Sequence, residues 1–358
     1  MNNIKLVSYQ SEPLRGEVTI PGDKSISHRA LLFAALAKGV TTIKGFLNSA
    51  DCLATLHALQ SMGVKIEIQD TCVKISGVGK HGLKAPEAAI KCENSGTTMR
   101  LLAGILVGQN FTCELTGDKS LTQRPMDRIL RPLKQMGAEI SADDDYPPLK
   151  IKGGNPLVGI RYNMQIASAQ VKSCVLFAGI YANGETILVD KGHTRDHTER
   201  MFATFSYPIL KSENELKVNS KGEFQGCDVQ IPGDISSAAF LLVAATLISG
   251  SELLIRDVGI NPGRVGILKI LELMGASIEI LNKRLYGEEP VADLFVRSAN
   301  LEGIDIPLAL VPMALDEFPI IFIAAAFAHG QTLLHGAKEL RYKESDRIKT
   351  MINGLRSL

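Results

Sequence analysis

The sequence predicts an α/β protein whose fold is built twice, and three observations indicate this. The motif Pro21-Gly22-Asp23 returns as Pro232-Gly233-Asp234, and each copy opens an apolar run that leads to a glycine and a strand-like segment. This pattern of apolar helix, glycine and short strand occurs five times along the chain. A second type of helix ends in a Met-Gly step before another strand. Alternating helices and strands are typical of α/β domains, and the return of a whole unit indicates an internal repeat.

The apolar helices come first in the order of elements. They are predicted over residues 30–39, 99–108, 171–184, 238–250 and 319–330. The strands that follow them are predicted over residues 41–43, 111–115, 186–189, 252–255 and 331–334. A glycine is expected to end each helix because it adopts the left-handed backbone of a C-terminal cap. Since these helices are apolar all round, we expect each to be buried on every side.

The Met-Gly helices and the repeat together predict the domain organisation. Met-Gly steps occur at residues 62–63, 136–137 and 274–275. Three units precede Pro232 and two follow it, which predicts a first domain over 21–231 and a second formed by 1–20 and 232–358. Residues 352–358 resemble another helix of this second type, just before its own Leu-Gly or Met-Gly step. The count therefore predicts that the second domain lacks its last unit within this sequence.

Composition and charge exclude several classes of function. The chain has 358 residues, 45% of them hydrophobic and 22% charged, with a net charge of +1. The net charge shows no basic excess that would indicate a nucleic-acid partner. No apolar run is long enough to span a membrane. The first five residues lack the apolar core of a signal peptide. The six cysteines form no Cys-x-x-Cys pair, which favours reduced thiols and a cytoplasmic location.

The segment 23–29, DKSISHR, is the first candidate binding site. Lys24, Ser25 and Arg29 lie at a predicted helix start, where backbone N–H groups and the helix dipole also favour anions. This arrangement indicates a phosphate or carboxylate site. The alternative is a helix whose N-cap is Ser25 or Ser27 and whose charged side chains are solvated.

Three further segments place small or polar residues before a predicted helix. Gly96 lies in NSGTTMR (94–100), where it would allow a ligand to approach the backbone. Arg124 precedes Pro125, which favours an extended backbone at Arg124. Residues 168–173, SAQVKS, open the third apolar helix. The alternatives are capped turns and, for Arg124, a solvated loop side chain.

Three charged segments remain. Residues 194–200 are dense in polar groups, and His193 and His197 are spaced for one helical face, but no glutamate completes a zinc-protease motif, so no metal is expected. Asp316 precedes the fifth apolar helix, where an acid is often only a partner of the helix dipole. Residues 342–347, YKESDR, would place Lys343 and Arg347 at i and i+4 on a helix. A surface ion-pair cluster is the alternative for this last segment.

Taken together, these motifs resemble the 5-enolpyruvylshikimate-3-phosphate synthase family of enolpyruvyltransferases. The resemblance runs from about Leu14 to the last residue and covers six motifs in order, at residues 22–29, 94–97, 123–126, 168–170, 316–317 and 343–347. It implies two domains, each an inside-out α/β barrel of three βαβαββ units that closes on a cleft. It also implies a monomer.

The resemblance implies the reaction as well. The enolpyruvyl group of phosphoenolpyruvate is transferred to the 5-hydroxyl of shikimate 3-phosphate and phosphate is released, by addition and elimination through a tetrahedral intermediate. This step belongs to chorismate and aromatic amino acid biosynthesis. The family uses no metal or organic cofactor, and glyphosate competes with phosphoenolpyruvate. Since Gly96 leaves room at that site, we expect sensitivity to glyphosate.

The family's functional residues carry over by position. The resemblance assigns catalytic roles to Lys24, Asp316 and Glu344. It assigns shikimate 3-phosphate binding to Lys24, Ser25, Arg29, Ser168, Ala169, Gln170, Arg195, Asp316 and Lys343. It assigns phosphoenolpyruvate binding to Lys24, Gly96, Arg124, Gln170 and Arg347. Each substrate carries a phosphate of about −1.5 to −2 charge, so a cleft lined by these cations is physically reasonable. The reaction needs an acid and a base, and which residue performs each step stays open.

Departures from the family pattern leave alternatives open. Many members have serine where this chain has Ala169, and the family's C-terminal His-Arg pair and lysine have no counterpart here. A chain without them would bind phosphoenolpyruvate weakly, so a catalytically impaired, truncated phospho-ligand binder is one alternative. The other is the enolpyruvyltransferase that acts on UDP-N-acetylglucosamine. That enzyme uses a Lys-Asn motif and a loop cysteine, whereas Lys24 is followed by Ser25 and residues 117–126 contain no cysteine.

Overall fold

A computed structural model of the chain describes residues 7, 9–190, 194–343 and 345–357. The helices are α1 (Lys24–Leu36), α2 (Ala50–Ser61), α3 (Gly96–Leu106), α4 (Asp127–Gln135), α5 (Ala169–Gly179), α6 (His197–Thr204), α7 (Ile235–Leu247), α8 (Gly266–Leu273), α9 (Phe318–Phe327) and α10 (Arg347–Arg356). Short 3-10 turns cover Leu121–Gln123, Leu308–Leu310, Pro312–Ala314 and Lys338–Tyr342.

The strands alternate with these helices. They are β1 (Arg15–Thr19), β2 (Ala37–Lys44), β3 (Lys65–Gln69), β4 (Cys72–Val78), β5 (Ile90–Lys91), β6 (Cys113–Thr116), β7 (Glu139–Asp143), β8 (Tyr146–Lys152), β9 (Arg161–Asn163), β10 (Glu185–Val189), β11 (Leu210–Lys211), β12 (Glu215–Asn219), β13 (Phe224–Gln225), β14 (Asp228–Gln230), β15 (Glu252–Gly259), β16 (Ser277–Tyr286) and β17 (Glu289–Arg297). The predicted α/β class is confirmed.

Four sheets repeat one topology. Their strand orders are β13-β2-β4-β3 with β14 also on β2, β5-β6-β8-β7, β11-β12-β10-β9 and β1-β15-β17-β16. In each sheet a parallel pair joins an antiparallel hairpin, as β5 runs parallel to β6 and β8 pairs antiparallel with both β6 and β7. The run β5-α3-β6-α4-β7-β8 is one βαβαββ unit. The arrangement of such units as inside-out barrels stays a prediction.

The first strand of each half comes from a distant part of the chain. β1 runs parallel to β15, with Arg15 opposite Glu252, and β14 runs parallel to β2, with Asp228 opposite Thr42. One hydrophobic core extends from Ile26 to Ile231. The other begins at Ile235 and has Leu14, Val18 and Ile20 packed against it. These observations support the division into 21–231 and 1–20 with 232–358, which we propose as the domain boundaries.

The Met-Gly helix ends are confirmed. Met62, Met136 and Met274 are the C-cap residues of α2, α4 and α8, and the glycines that follow them have φ of 86°, 89° and 94°. In each case the next N–H donates to a carbonyl five residues back, as Ala138 does to Leu133 at 3.0 Å. These bonds complete the same C-terminal capping motif three times.

Two predictions about the apolar helices are wrong. α1 ends at Leu36 and Ala37 continues directly as β2, so Gly39, at φ 96°, lies inside the strand rather than at the helix end. The helices α5, α7 and α9 likewise end before the predicted glycines, at Gly179, Leu247 and Phe327. Burial on every side holds for α1 but fails for α7 and α9. Phe240 on α7 is 60% exposed and Phe327 on α9 is 69% exposed. These two helices pack on each other, and α7 also packs on β15 and β17, which leaves one side of the pair uncovered by the described residues.

The last predicted strand, 331–334, is also not formed as an extended strand. Two isolated parallel bridges replace it, Glu302 with His329 and Asp305 with Leu333. Because these bridges are separated, no continuous ladder forms there among the described residues. Within the same described part of the chain, every helix is too short or too polar to span a membrane.

Candidate active site

The start of α1 forms the first part of the site. Asp23 is its N-cap and accepts a hydrogen bond from the Ile26 N–H at 2.9 Å, so the alternative in which Ser25 or Ser27 caps the helix is wrong. Lys24 Nζ lies 3.2 Å from Asp51 Oδ2. Ser25 follows in the first turn, and its carbonyl accepts from Arg29 Nη1 at 3.0 Å.

Arg29 is a buried cation at this helix start. Its side chain donates from Nε to Thr198 Oγ1 and from Nη2 to Ser173 Oγ, each at 2.7 Å, and the residue is 3% exposed. Burial lowers the pKa of Arg29 to about 10, which leaves it charged at neutral pH. A buried guanidinium held by hydroxyl groups is suited to a phosphate or carboxylate partner.

A chain of hydroxyl groups connects α1 with the start of α3. His28 Nδ1 lies 2.7 Å from Thr55 Oγ1, and Thr55 Oγ1 lies 2.7 Å from Thr98 Oγ1. Thr98 in turn bonds Ser95 Oγ at 2.7 Å, and Ser95 is the N-cap of α3. Burial, with the charges of Lys24 and Arg29, lowers the pKa of His28 to about 3, so the imidazole is neutral.

Two arginines and a glutamine converge on Gly96, the first residue of α3. A Cβ atom at Gly96 would lie 2.7 Å from Arg100 Nη1 and 3.5 Å from Arg124 Nη1. Arg100 Nη1 donates to Gln170 Oε1 at 2.9 Å. Arg124 Nη2 donates to Asn94 Oδ1 at 2.6 Å, so Arg124 is not the solvated side chain of the alternative interpretation. The backbone of Arg124 is extended, as its place before proline predicts.

The start of α5 lies between these two groups. Ser168 is its N-cap and accepts from the Val171 N–H at 3.4 Å, and Ala169 opens the helix. The Ala169 carbonyl accepts from Ser173 Oγ at 2.6 Å. Because Ser173 also contacts Arg29, and Gln170 contacts Arg100, the segment 168–170 links the two arginine groups.

Asp316 is the acidic centre of the site. Arg195 Nη2 lies 2.5 Å from its Oδ2, and Arg347 Nη1 lies 3.2 Å from its Oδ1. Burial alone would raise the pKa of Asp316, but Arg195, Lys343 and Arg264 hold it well below its usual range. One carboxylate therefore joins an arginine near the start of α6 to an arginine at the start of α10.

The predicted helix over residues 342–347 is wrong. Lys343 has extended backbone, with φ −88° and ψ −156°, and α10 begins only at Arg347. Asp346 caps α10 by accepting from the Lys349 N–H at 3.0 Å, which explains why the helix does not extend backwards. Lys343 and Arg347 are thus not neighbours on one helical face. Glu344 lies outside the described residues.

Sequence reasoning missed several residues of this region. Arg100 lies in the same predicted segment as Gly96 but is not among the residues that the sequence assigns to the site. Lys172 is buried, with its Nζ 2.7 Å from Glu199 and 3.3 Å from Asp190, and this triad ties α5 to α6. Arg264 was not singled out, although a charged residue just before an apolar helix was the available signal.

The structure describes only one of the two histidines that are spaced for one helical face. His193 lies outside the described residues, and His197 Nδ1 is 2.7 Å from Glu289 Oε1. Across residues 9–190, 194–343 and 345–357, no cluster of three or more His, Cys, Asp or Glu side chains is arranged to hold a metal ion. The described site residues are instead mostly cations, with Asp316 between Arg195 and Arg347.

Comparisons with known proteins agree with this geometry. The family model for EPSP synthase (3-phosphoshikimate 1-carboxyvinyltransferase) matches residues 8–358. A 3-phosphoshikimate 1-carboxyvinyltransferase from Legionella pneumophila (strain Corby) is 58% identical over 99% of this chain and 82% of its own length. The protein of that name from Coxiella burnetii (strain RSA 493) is 50% identical over 98% of this chain and 82% of its own length.

Solved structures give the same result. EPSP synthase from Acinetobacter baumannii superposes with a TM-score of 0.89 at 49% identity, covering 97% of this chain and 79% of that one. The enolpyruvyl transferase NikO from Streptomyces tendae, at 14% identity and a TM-score of 0.72, covers 90% of this chain and 74% of its own and shares the fold. The resemblance read from six motifs is confirmed. The chain belongs to the EPSP synthase family.

Proposed function

We propose that the protein transfers the enolpyruvyl group of phosphoenolpyruvate to the 5-hydroxyl of shikimate 3-phosphate and releases phosphate. The observation that carries the proposal is the position of Asp316 between Arg195 and Arg347. Arg195 is proposed to contact shikimate 3-phosphate, and Arg347 is proposed to contact phosphoenolpyruvate. A proton acceptor between the two substrates is what this transfer needs.

Shikimate 3-phosphate is proposed to bind to Lys24, Ser25, Arg29, Ser168, Ala169, Gln170, Arg195, Asp316 and Lys343. The buried charge of Arg29 and its link to α5 through Ser173 support this assignment. A phosphate of about −1.5 to −2 charge is strongly attracted to such a partly desolvated cation.

Phosphoenolpyruvate is proposed to bind to Lys24, Gly96, Arg124, Gln170 and Arg347. Gly96, Arg124 and Gln170 meet around Arg100, and the missing Cβ of Gly96 lets the Arg100 guanidinium lie against the start of α3. Because glyphosate is an anion of similar size, we propose that it competes for the same place, and we expect phosphoenolpyruvate to relieve its inhibition.

The chemistry requires two balanced proton transfers. In the addition step, the 5-hydroxyl oxygen bonds to C2 of phosphoenolpyruvate, its proton leaves to a base, and an acid protonates the methylene carbon. In the elimination step, one proton leaves the new methyl group while the bond to phosphate breaks. Lys24, Asp316 and Glu344 are the proposed groups. Asp316 becomes a stronger base once substrate anions compete for Arg195 and Lys343, because those cations now hold its pKa low.

The chain lacks the features of the UDP-N-acetylglucosamine alternative. Cys113 is the cysteine nearest in sequence to residues 117–126, and it is 7% exposed in strand β6. Burial raises the pKa of the Cys113 thiol to about 11, so it is not a reactive thiolate at neutral pH. This observation supports shikimate 3-phosphate as the acceptor.

The test is a phosphate-release assay with both substrates, with mass spectrometry of the organic product. We expect phosphate and 5-enolpyruvylshikimate 3-phosphate in equal amounts, and no release when either substrate is omitted or UDP-N-acetylglucosamine replaces the acceptor. Calorimetric binding of shikimate 3-phosphate without release would support the phospho-ligand binder instead. We also propose a monomer, which light scattering of the same preparation measures.

A further inference from the structure

A short loop of the second half, Asn261-Pro262-Gly263-Arg264, touches both sides of the proposed shikimate 3-phosphate site. We call it the 261–264 loop. It precedes α8 and lies outside every motif of the family resemblance. Arg264 is 3% exposed and Asn261 is also 3% exposed, so both polar side chains are buried.

Arg264 is surrounded by carboxylates from three helix starts. Its guanidinium lies 3.7 Å from Asp23, 2.9 Å from Asp234 and 3.5 Å from Glu317. These three acids are the N-cap residues of α1, α7 and α9. Asp234 also accepts from the Lys24 backbone N–H at 3.2 Å. One arginine thus connects the helix start that carries Lys24 with the helix start that follows Asp316.

The charge balance makes this arginine necessary for the cluster. Burial lowers the pKa of Arg264, but Asp234, Asp23 and Glu317 raise it by more than burial lowers it. The guanidinium therefore stays charged. Glu317 is 2% exposed, and this burial raises its pKa. Without Arg264, three carboxylates would be buried together without the one cation that contacts all three, which is unfavourable.

The other end of the loop contacts the segment that carries Arg195. Asn261 Nδ2 donates to Asp196 Oδ1 at 2.8 Å and to Glu289 Oε2 at 3.1 Å. A Cβ atom at Gly263 would lie 3.2 Å from the Arg195 Cα and 3.4 Å from its backbone N. The backbone of Arg195 therefore packs directly against Gly263.

We propose that the 261–264 loop is a positioning element for shikimate 3-phosphate. Arg264 fixes the backbone of Lys24 through Asp23 and Asp234, and Asn261 and Gly263 fix the backbone of Arg195. The loop acts through these two residues rather than by holding the substrate itself. This inference rests on the proposed function, because it takes Lys24 and Arg195 as contacts of that substrate.

The first test is the steady-state kinetics of Gly263→Ala, Asn261→Ala and Arg264→Lys, with Pro262→Ala as the matched control. Pro262 is the exposed residue of the same loop. In the three test variants we expect the KM for shikimate 3-phosphate to rise about fivefold or more, the effect of one weakened charge-assisted contact. In Gly263→Ala and Asn261→Ala, kcat and the KM for phosphoenolpyruvate should stay within about threefold. A merely structural role would instead lower kcat in proportion to the folded fraction and leave both KM values unchanged.

The second test is amide hydrogen exchange of residues 194–200 in the protein without substrate. Exchange should be about tenfold faster in Gly263→Ala and Asn261→Ala than in the wild type and in Pro262→Ala. If Arg264→Lys does not fold, Gly263→Ala and Asn261→Ala alone test the proposal. Unchanged exchange together with a KM for shikimate 3-phosphate within twofold of wild type overturns the proposal. Failure of the wild type to release phosphate would count against the proposed function, and the exchange result would still show whether the loop holds the Arg195 segment.

Discussion

The helices α1 and α7 begin alike and then diverge. Each has thirteen residues and an aspartate N-cap that follows Pro-Gly. The two motifs also bond each other reciprocally, with the Asp23 N–H donating to the Pro232 carbonyl at 2.8 Å and the Asp234 N–H to the Pro21 carbonyl at 2.9 Å. The chain has therefore placed the two copies of its repeat face to face at the junction of its halves.

The difference lies in the residues after the cap. Lys24, His28 and Arg29 of α1 correspond to Ile235, Ala239 and Phe240 of α7. Arg29 is 3% exposed and Phe240 is 60% exposed. The Pro-Gly-Asp motif thus sets the turn and the cap in both halves, while the following six residues decide whether the helix start can bind an anion.

Substitution of Lys24 should have the largest effect on activity. Lys24→Met removes a cation proposed to contact both substrates, so kcat/KM should fall about 10²–10⁴-fold. Ile235→Met, at the corresponding position of α7, is the matched control and should stay within about twofold. Phosphate release measures both. Equal losses in the two variants would mean that the helix starts are functionally equivalent.

Substitution of a phenylalanine by alanine should lower the free energy of unfolding far more in α1 than in α7. Phe33 of α1 is fully buried, with its ring 5.0 Å from Phe177 and 5.1 Å from Phe202. Phe33→Ala should lower the free energy of unfolding by about 3–5 kcal/mol, whereas Phe240→Ala should change it by about 0.5 kcal/mol or less. Urea unfolding measures both values. A loss above 2 kcal/mol for Phe240→Ala would show that its exposed face is covered in solution.

His28 should make stability depend on pH, and Ala239 at the same place in α7 cannot. The pKa of His28 is about 3 in the folded protein, mainly through burial, and about 6.5 in an unfolded chain. Between these values the unfolded state binds the additional proton, so this contribution is complete above pH 6.5 and is lost as pH falls toward 3. His28→Asn should remove a pH-dependent change of a few kcal/mol from the free energy of unfolding between pH 7 and pH 4. Identical pH profiles would contradict the neutral, buried state of His28.

The exposed ion pair that links the halves should have the smallest effect. Arg128 Nη2 lies 3.4 Å from Glu339 Oε1, and the two side chains are 42% and 43% exposed. Glu339→Gln should change the free energy of unfolding by about 1 kcal/mol or less, and added salt should reduce the difference further. A salt-independent change above 2 kcal/mol would mean that the pair holds the halves together.

Local patterns predicted much of this molecule. The α/β class, the Met-Gly caps and the family resemblance all depend on residues close in sequence, and each was confirmed. Asn261 and Arg264 could not be predicted in the same way, because their partners Asp196 and Asp23 lie far away in the chain. The predicted helix over 342–347 was wrong because the cap formed by Asp346 outweighs the favourable spacing of the charges. Burial of α7 was overestimated since apolar composition does not reveal which neighbours cover a helix.

The two places where the chain crosses between the proposed halves have a mechanical consequence. The chain crosses from one half to the other at two adjacent places, at residues 20–21 and 231–232, and each crossing ends in a proline with a fixed φ. Two covalent connections side by side resist twisting and sliding of one half against the other. We therefore expect the easiest relative motion of the proposed halves to be a rotation about the line that joins the crossings. Such a rotation would move Arg195, in the first half, away from Asp316, in the second half.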